Sequence, residues 1–144
     1  MREILFRGKR VGNGEWLYGW VTTQHKKYTG GDLLTKIQSN TFGVGEYYVD
    51  TETVGQFTGL TDKNGKKIFE GDIVHAVYQV GYVGCKNVDY GIGVVKYCAS
   101  YYGGASYEID IIGDSGSRVF TASLENGVEV IGNIYDNPEL IKEK

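Results

Sequence analysis

Three carboxylates, Asp62, Glu70 and Asp72, fall in the stretch VGQFTGLTDKNGKKIFEGDIV that runs from Val54 to Val74. Two carboxyls sharing a cleft could divide acid and base duties in a hydrolysis or a proton transfer. The stronger reading is constructional. Asp62 sits in a turn sequence, Glu70 reads as a strand-edge residue, and Asp72 follows Gly71, where its side chain can accept from nearby backbone N–H groups. The two histidines, His25 and His75, are far apart in sequence, and neither lies near a Gly-x-Ser-x-Gly elbow. His75 alternates with core-type residues, which describes a half-buried, satisfied histidine better than a general base.

His75, Cys85 and Cys98 could in principle supply a metal site, but none belongs to a Cys-x-x-Cys or His-x-x-x-His pair that would bring two ligands in from one turn. Gly43-Val44-Gly45 and Gly91-Ile92-Gly93 lack the third glycine or the Gly-Lys-Ser/Thr that would cradle phosphates ahead of a helix. They read as bulges or turn ends. The expectation is therefore no enzyme, no metal and no cofactor. What remains is surface chemistry. Trp16, Tyr18 and Trp20 share one strand face by the period of two, and Tyr101-Tyr102 marks a hairpin tip at which at least one ring faces out. With Arg7, Lys9 and Arg10 of the basic N-terminal strand, Tyr101 and Tyr102 form the candidate binding surface. Such rings can stack on bases or anchor a protein partner. Core packing explains the tryptophans as well, and a solvated strand face explains the basic residues better than a nucleic-acid patch does.

The elements that must hold these residues follow from composition and turn signals. A chain of 144 residues fits one domain, 1–144. Twenty-two scattered glycines against one proline, with twelve tyrosines, call for many tight turns joining half-buried strands. Net charge is −3, so no overall basic field exists to drive nonspecific nucleic-acid binding. Two cysteines are too few to staple a domain of this size, residues 1–20 alternate charged with apolar residues unlike a secretory leader, and no apolar run approaches a bilayer span. A soluble chain of a reducing cytosol is expected.

Ile4 to Phe6 and Glu15 to Val21 read as a first hairpin across Gly12-Asn13-Gly14. Thr22 to Asn40 reads as a loop with a short strand at Leu33 to Ile37. Tyr47 to Val49 forms a strand that leads to a single turn capped by Asp50. Val54 to Val74 is a hairpin whose Asn64-Gly65 predicts a type I′ turn. Asp72 to Val80 is apolar without strict alternation, as in a strand buried on both faces. Gly91 to Ala99 pairs with Ser106 to Ile112, and Val119 to Leu124 with Val128 to Ile134 across Asn126-Gly127. Asn137-Pro138-Glu139 opens a short C-terminal helix. Together these predict a mainly β, all-β class fold, and Gly71-Asp72 before a β-branched run tilts it to a small SH3-like barrel built from hairpins.

Three blocks carry a resemblance: Arg2 to Gly8 with Trp16 and Tyr18-Gly19; Val54 to Leu60 through Lys63-Asn64-Gly65-Lys66 to Glu70-Gly71-Asp72-Ile73-Val74; and Val130 to Tyr135 with Asn137-Pro138-Glu139-Leu140. Their order and wording resemble the YopX family of bacteriophage and prophage proteins, although Thr51 stands where the family often has proline and residues 75–128 carry none of its wording. The resemblance implies a small, largely β, SH3-like barrel acting in the cytoplasm of a bacterial host. It implies no reaction and carries over no catalytic residue. Gly59, Asn64, Gly65, Gly71 and Asp72 read as its structural motif. The expected function is a non-enzymatic accessory module that binds a macromolecule, a phage or host protein ahead of nucleic acid. The alternatives are an enzyme or anti-host effector using the hairpin carboxylates, and a self-assembling structural protein, a homo-oligomer paired through strand edges.

Overall fold

Alternation of buried and exposed residues organises the strands in a computed structural model, which describes residues 4–26, 33–39, 45–80, 86–99, 105–113, 117–119 and 127–142. The chain divides into two compact units, Met1–Phe57 and Thr58–Lys144, with β5 (Gly55–Thr61) crossing the division.

The first unit contains β1 (Phe6–Lys9), β2 (Trp16–Lys26), β3 (Leu33–Ser39) and β4 (Gly45–Val49). They form an antiparallel sheet in the order β4-β3-β2-β1, and β5 adds beside β1. Between β1 and β2 the chain reverses through Gly12 and Gly14, both at positive φ, where a Cβ would be strained. The inner face buries Leu17, Ile37 and Val49 against Val21, Tyr47 and Val54. Gly8 lies over this core so closely that a Cβ there would stand 3.0 Å from Val49 and 3.1 Å from Ile37. The sheet curls enough for the end of β4 to meet the end of β1: Val49 bridges Arg10, Val11 N–H donates to Tyr48 O at 3.0 Å, and Asp50 N–H donates to Lys9 O at 2.8 Å. A single 3-10 turn, Thr51–Thr53, follows, and the Asp50 carboxylate accepts from Glu52 N–H as expected of its cap. The segment read as a loop from Thr22 is instead a continuation of β2 to Lys26, paired with β3. Polar side chains hid this, because a strand with one face in water needs apolar residues only at alternate positions.

The second unit contains β6 (Lys67–Phe69), β7 (Asp72–Val80), β8 (Lys86–Ala99), β9 (Ala105–Ile111), β10 (Ser117–Val119) and β11 (Val128–Asn133). Five of these make an antiparallel sheet in the order β10-β9-β8-β7-β11, while β6 pairs with β5. Its core is Ile68, Val74, Ala76, Val95, Ile109, Ile111 and Val128. Ile73 and Val74 are adjacent and both fully buried, which accounts for the non-alternating sequence of β7. The register of β7 against β8 shifts by one residue at Tyr90, between Asp89 and Gly91, a bulge at the step that Gly91-Ile92-Gly93 had suggested.

Three expectations need correction. Apart from the single bridge between the end of β4 and Arg10, both sheets are open, and the described residues form no closed barrel. The turn after Thr61 is not type I′, since no described non-glycine residue has a positive φ. Gly65 N–H donates to Asp62 O at 3.0 Å and Asp62 N–H to Lys66 O at 2.7 Å, with Gly65 alone at φ +81°. That is the longer hairpin loop in which a left-handed glycine forms a bulge. β10 pairs with β9 and β11 with β7, at opposite edges of their sheet; beyond Val119, the strand expected over Val119 to Leu124 and its Asn126 lie outside the described residues. The short C-terminal helix is present as one 3-10 turn, Pro138–Ile141, but the Asn137 side chain makes no capping bond to it. The Asn137 side chain instead accepts from Asn133 N–H at 3.3 Å.

Candidate binding surface

On β2 the buried Leu17 and Gly19 fix the direction of their neighbours, so Trp16, Tyr18 and Trp20 face outward. Tyr18 is 42% and Trp20 52% exposed. Register carries the same face across the sheet. Arg7 and Lys9 of β1 stand opposite Tyr18 and Trp16, and Gln38 of β3 opposite Trp20. On β4, Tyr48 stands opposite Lys36 and is 43% exposed. The Lys36 Nζ lies 4.7 Å from the Tyr48 ring centre, the Lys9 Nζ 5.5 Å from that of Trp16, and the Arg7 guanidinium 4.6 Å from Trp16. Each arrangement places a cation over the negative face of a ring, an attraction of about 0.5–1 kcal/mol where water reaches.

The structure sorts the sequence candidates. Arg7 is only 5% exposed, so it supports Trp16 from within and is not a surface contact. Lys9 and Arg10 are half-buried, the latter with its guanidinium 4.7 Å from the Tyr47 ring centre. Tyr101 and Tyr102 lie outside the described residues, as does Cys85. Lys36 and Tyr48 were not singled out from sequence. Their signal is the alternation of Lys36 with the buried Thr35 and Ile37, and of Tyr48 with Val49, which carries meaning once β3 and β4 are known to pair.

The hairpin carboxylates build the fold. Asp62 is 5% exposed. One of its oxygens accepts from Asn64 N–H and Lys66 N–H, both at 2.9 Å, and the other from Val130 N–H at 3.0 Å. Burial works to raise its pKa. The N–H groups of Val130, Lys66 and Asn64, together with the Lys66 charge, outweigh burial and hold the carboxyl below its ordinary value. Lys63 adds to the same attachment, donating its N–H to Val128 O at 3.0 Å and placing its Nζ 3.3 Å from Glu129. Asp72 is 2% exposed and accepts from Phe69 N–H at 2.8 Å, closing the turn at Gly71. Asp72→Ala strands that buried donor and is expected to cost about 1–3 kcal/mol. Urea unfolding with an unchanged midpoint would rule this account out. Glu70 is half-buried in the same turn.

His75 has a partner, as expected. Its Nε2 lies 2.8 Å from Asp89, whose carboxylate also accepts from Gly91 N–H at 2.7 Å. The Gly91 N–H first, and His75 second, lower the Asp89 pKa. Among the described residues no group of three or more His, Cys, Asp or Glu is placed to hold a metal ion. No described helix is long and apolar enough to cross a membrane.

No curated protein matches the chain. A crystal structure of protein EF1440 from Enterococcus faecalis is similar in fold, with TM-score 0.50 and 24% identity, over 99% of this chain and 100% of that one. The family model described as YopX protein matches residues 5–142, nearly the full length and all three blocks of family wording apart from the first three residues of the first, and the chain belongs to the YopX family.

Proposed function

We propose that the chain is a non-enzymatic binding module, acting in the cytoplasm of a phage-bearing bacterium, and that its contact surface is the outward face of β1 to β4. The observation that carries this reading is the exposure of Tyr18, Trp20 and Tyr48 on the outward face of this one sheet. Large exposed aromatics are the residues around which binding energy concentrates. The enzymatic alternative has less support, because it needs carboxylates free to meet a substrate. Asp62 and Asp72 are instead buried and accept from backbone N–H groups of their own turns and of β11.

Affinity capture with the full chain from phage-infected or prophage-induced cells tests the surface. The Trp20→Ala/Tyr48→Ala double variant removes exposed rings only, so its circular dichroism and melting temperature should stay within about 0.5 kcal/mol of the parent's stability. A partner recovered with the parent is expected to be lost with the variant. Recovery of the same partners in equal yield by both proteins would refute the surface.

A further inference from the structure

Resting on the reading that this face is the contact surface, we infer that its ligand is single-stranded nucleic acid, with bases stacked on Trp20, Tyr18 and Tyr48 and phosphates met by Lys36 and Lys9. The face is not apolar in the manner of a protein-protein core. Its exposed rings alternate with polar and cationic residues, Gln38 and Lys36 on β3 and Lys9 on β1, and no aliphatic side chain takes an outward position between Trp16 and Trp20. Lysine is depleted at the centres of protein interfaces, whereas aromatics interleaved with cations form the stacking platforms of single-strand binders.

Spacing favours an opened strand. Tyr18 and Trp20 are two residues apart on β2, about 6.6–6.8 Å along the strand. That is roughly twice the 3.4 Å between successive stacked bases, so neighbouring bases would leave one another and each stack on a ring. A duplex keeps its bases inside and offers only phosphates, for which this face has little charge. Charge distribution agrees with the choice of unit. Residues 1–57 hold seven Lys and Arg against six Asp and Glu, net +1, whereas residues 58–144 hold eight against twelve, net −4. Glu46, opposite Gln38, is the carboxylate at an outward position of β4, and a strand following the rings would pass along the Lys36 side of Tyr48.

Trp16 and Trp20 are the chain's two tryptophans, and both lie on this face, so intrinsic fluorescence reports contact directly. The full chain is titrated with oligothymidylate, oligouridylate and a blunt DNA duplex at 50 and 200 mM salt. Both single strands are expected to quench the emission. With about two phosphates neutralised, the single-strand slope of roughly −0.7 per contact weakens binding about sevenfold over that salt range. Trp20→Ala is expected to weaken binding about tenfold, within the range for one lost base stack, and Lys36→Ala to reduce the salt slope by about 0.7. Preference for one single strand over the other assigns DNA or RNA.

Absence of quenching by either strand at 50 mM salt overturns the inference, as does a duplex that binds as tightly as the strands. Trp20→Ala and Tyr48→Ala variants that bind like the parent overturn it as well. The broader surface fails separately. If nuclease-treated capture still loses a protein partner with the double variant, the face stands and its ligand is protein; if that capture is unchanged and no strand binds, both readings fall.

Discussion

Asp62→Ala is expected to lower the unfolding free energy at pH 7 by about 3 kcal/mol, because a buried carboxylate serving three backbone N–H groups disappears at once. Two of those donors, Asn64 and Lys66, lie on exposed residues of the turn and can turn to water. The third, from Val130, lies 68 residues away on β11 and loses an acceptor in a part-buried place. A fall in melting temperature of about 10 °C follows for a chain of this size. Asp62→Asn is the sharper instrument. Its amide keeps an oxygen for the turn but opposes an NH2 group to the Val130 N–H, so about half the loss is expected at pH 7.

The pH dependence has a definite sign. The folded pKa of Asp62 lies below its unfolded value of 3.8, so in acid the unfolded chain binds the proton more readily and acidification favours unfolding. The stabilisation is complete above the unfolded pKa and is lost as pH falls from there through the lowered folded value. The gap between the parent and Asp62→Asn in urea midpoint should therefore be constant from pH 7 to about 5 and close below about pH 4. A gap that persists undiminished at pH 2, or one absent at pH 7, would show that the charge of Asp62 does not hold β11 to the hairpin.

Those bonds also explain what could be read from the sequence. Within the second unit, the family wording of Thr58 to Val74 and of Val130 to Tyr135 belongs to one piece of architecture. Asp62 and Lys63 grip Val130 and Val128, Asp72 pairs with Asn133, and Ile134 N–H donates to Gly71 O at 3.0 Å. The positive φ angles at Gly59, Gly65 and Gly71 (88°, 81° and 86°) make these motif positions glycine for backbone reasons. Such requirements are local, so they are visible in a short window. The closure of sheets is not local. Whether β4 meets β1, or β11 pairs with β7, depends on pairings between segments far apart in sequence that no turn signal encodes. The surface was half legible for the same reason. Trp16, Tyr18 and Trp20 follow from period two within one strand, but Lys36 and Tyr48 join them through register alone, and Arg7, read from sequence as part of a solvated strand face, proves buried beside Trp16.

Gly19→Ala is expected to be the most damaging single methyl group in the first unit, at about 3 kcal/mol or more. A Cβ at Gly19 would fall inside the van der Waals sphere of the Gln38 carbonyl oxygen, 2.8 Å from the carbonyl carbon and 3.2 Å from Ile37 Cγ2. The obstacle is backbone of the neighbouring strand, so no rotamer change relieves it. β2 and β3 must separate where Gly19 pairs with Ser39, and Leu17 and Ile37 on either side lose their fully buried packing. Gly12→Ala supplies the contrast: nothing lies within 4 Å of its added Cβ, yet its φ is +102°, so it meets conformational strain of about 1 kcal/mol without a clash. Thermal melts followed by the fluorescence of Trp16 and Trp20 separate the two causes. If close approach of β2 to β3 holds the unit together, Gly19→Ala melts well below Gly12→Ala, and Trp20, the next residue along, loses its native emission and with it the proposed surface. Equal melting of the two variants would mean that β2 and β3 tolerate the separation and that the narrow contact at Gly19 is incidental.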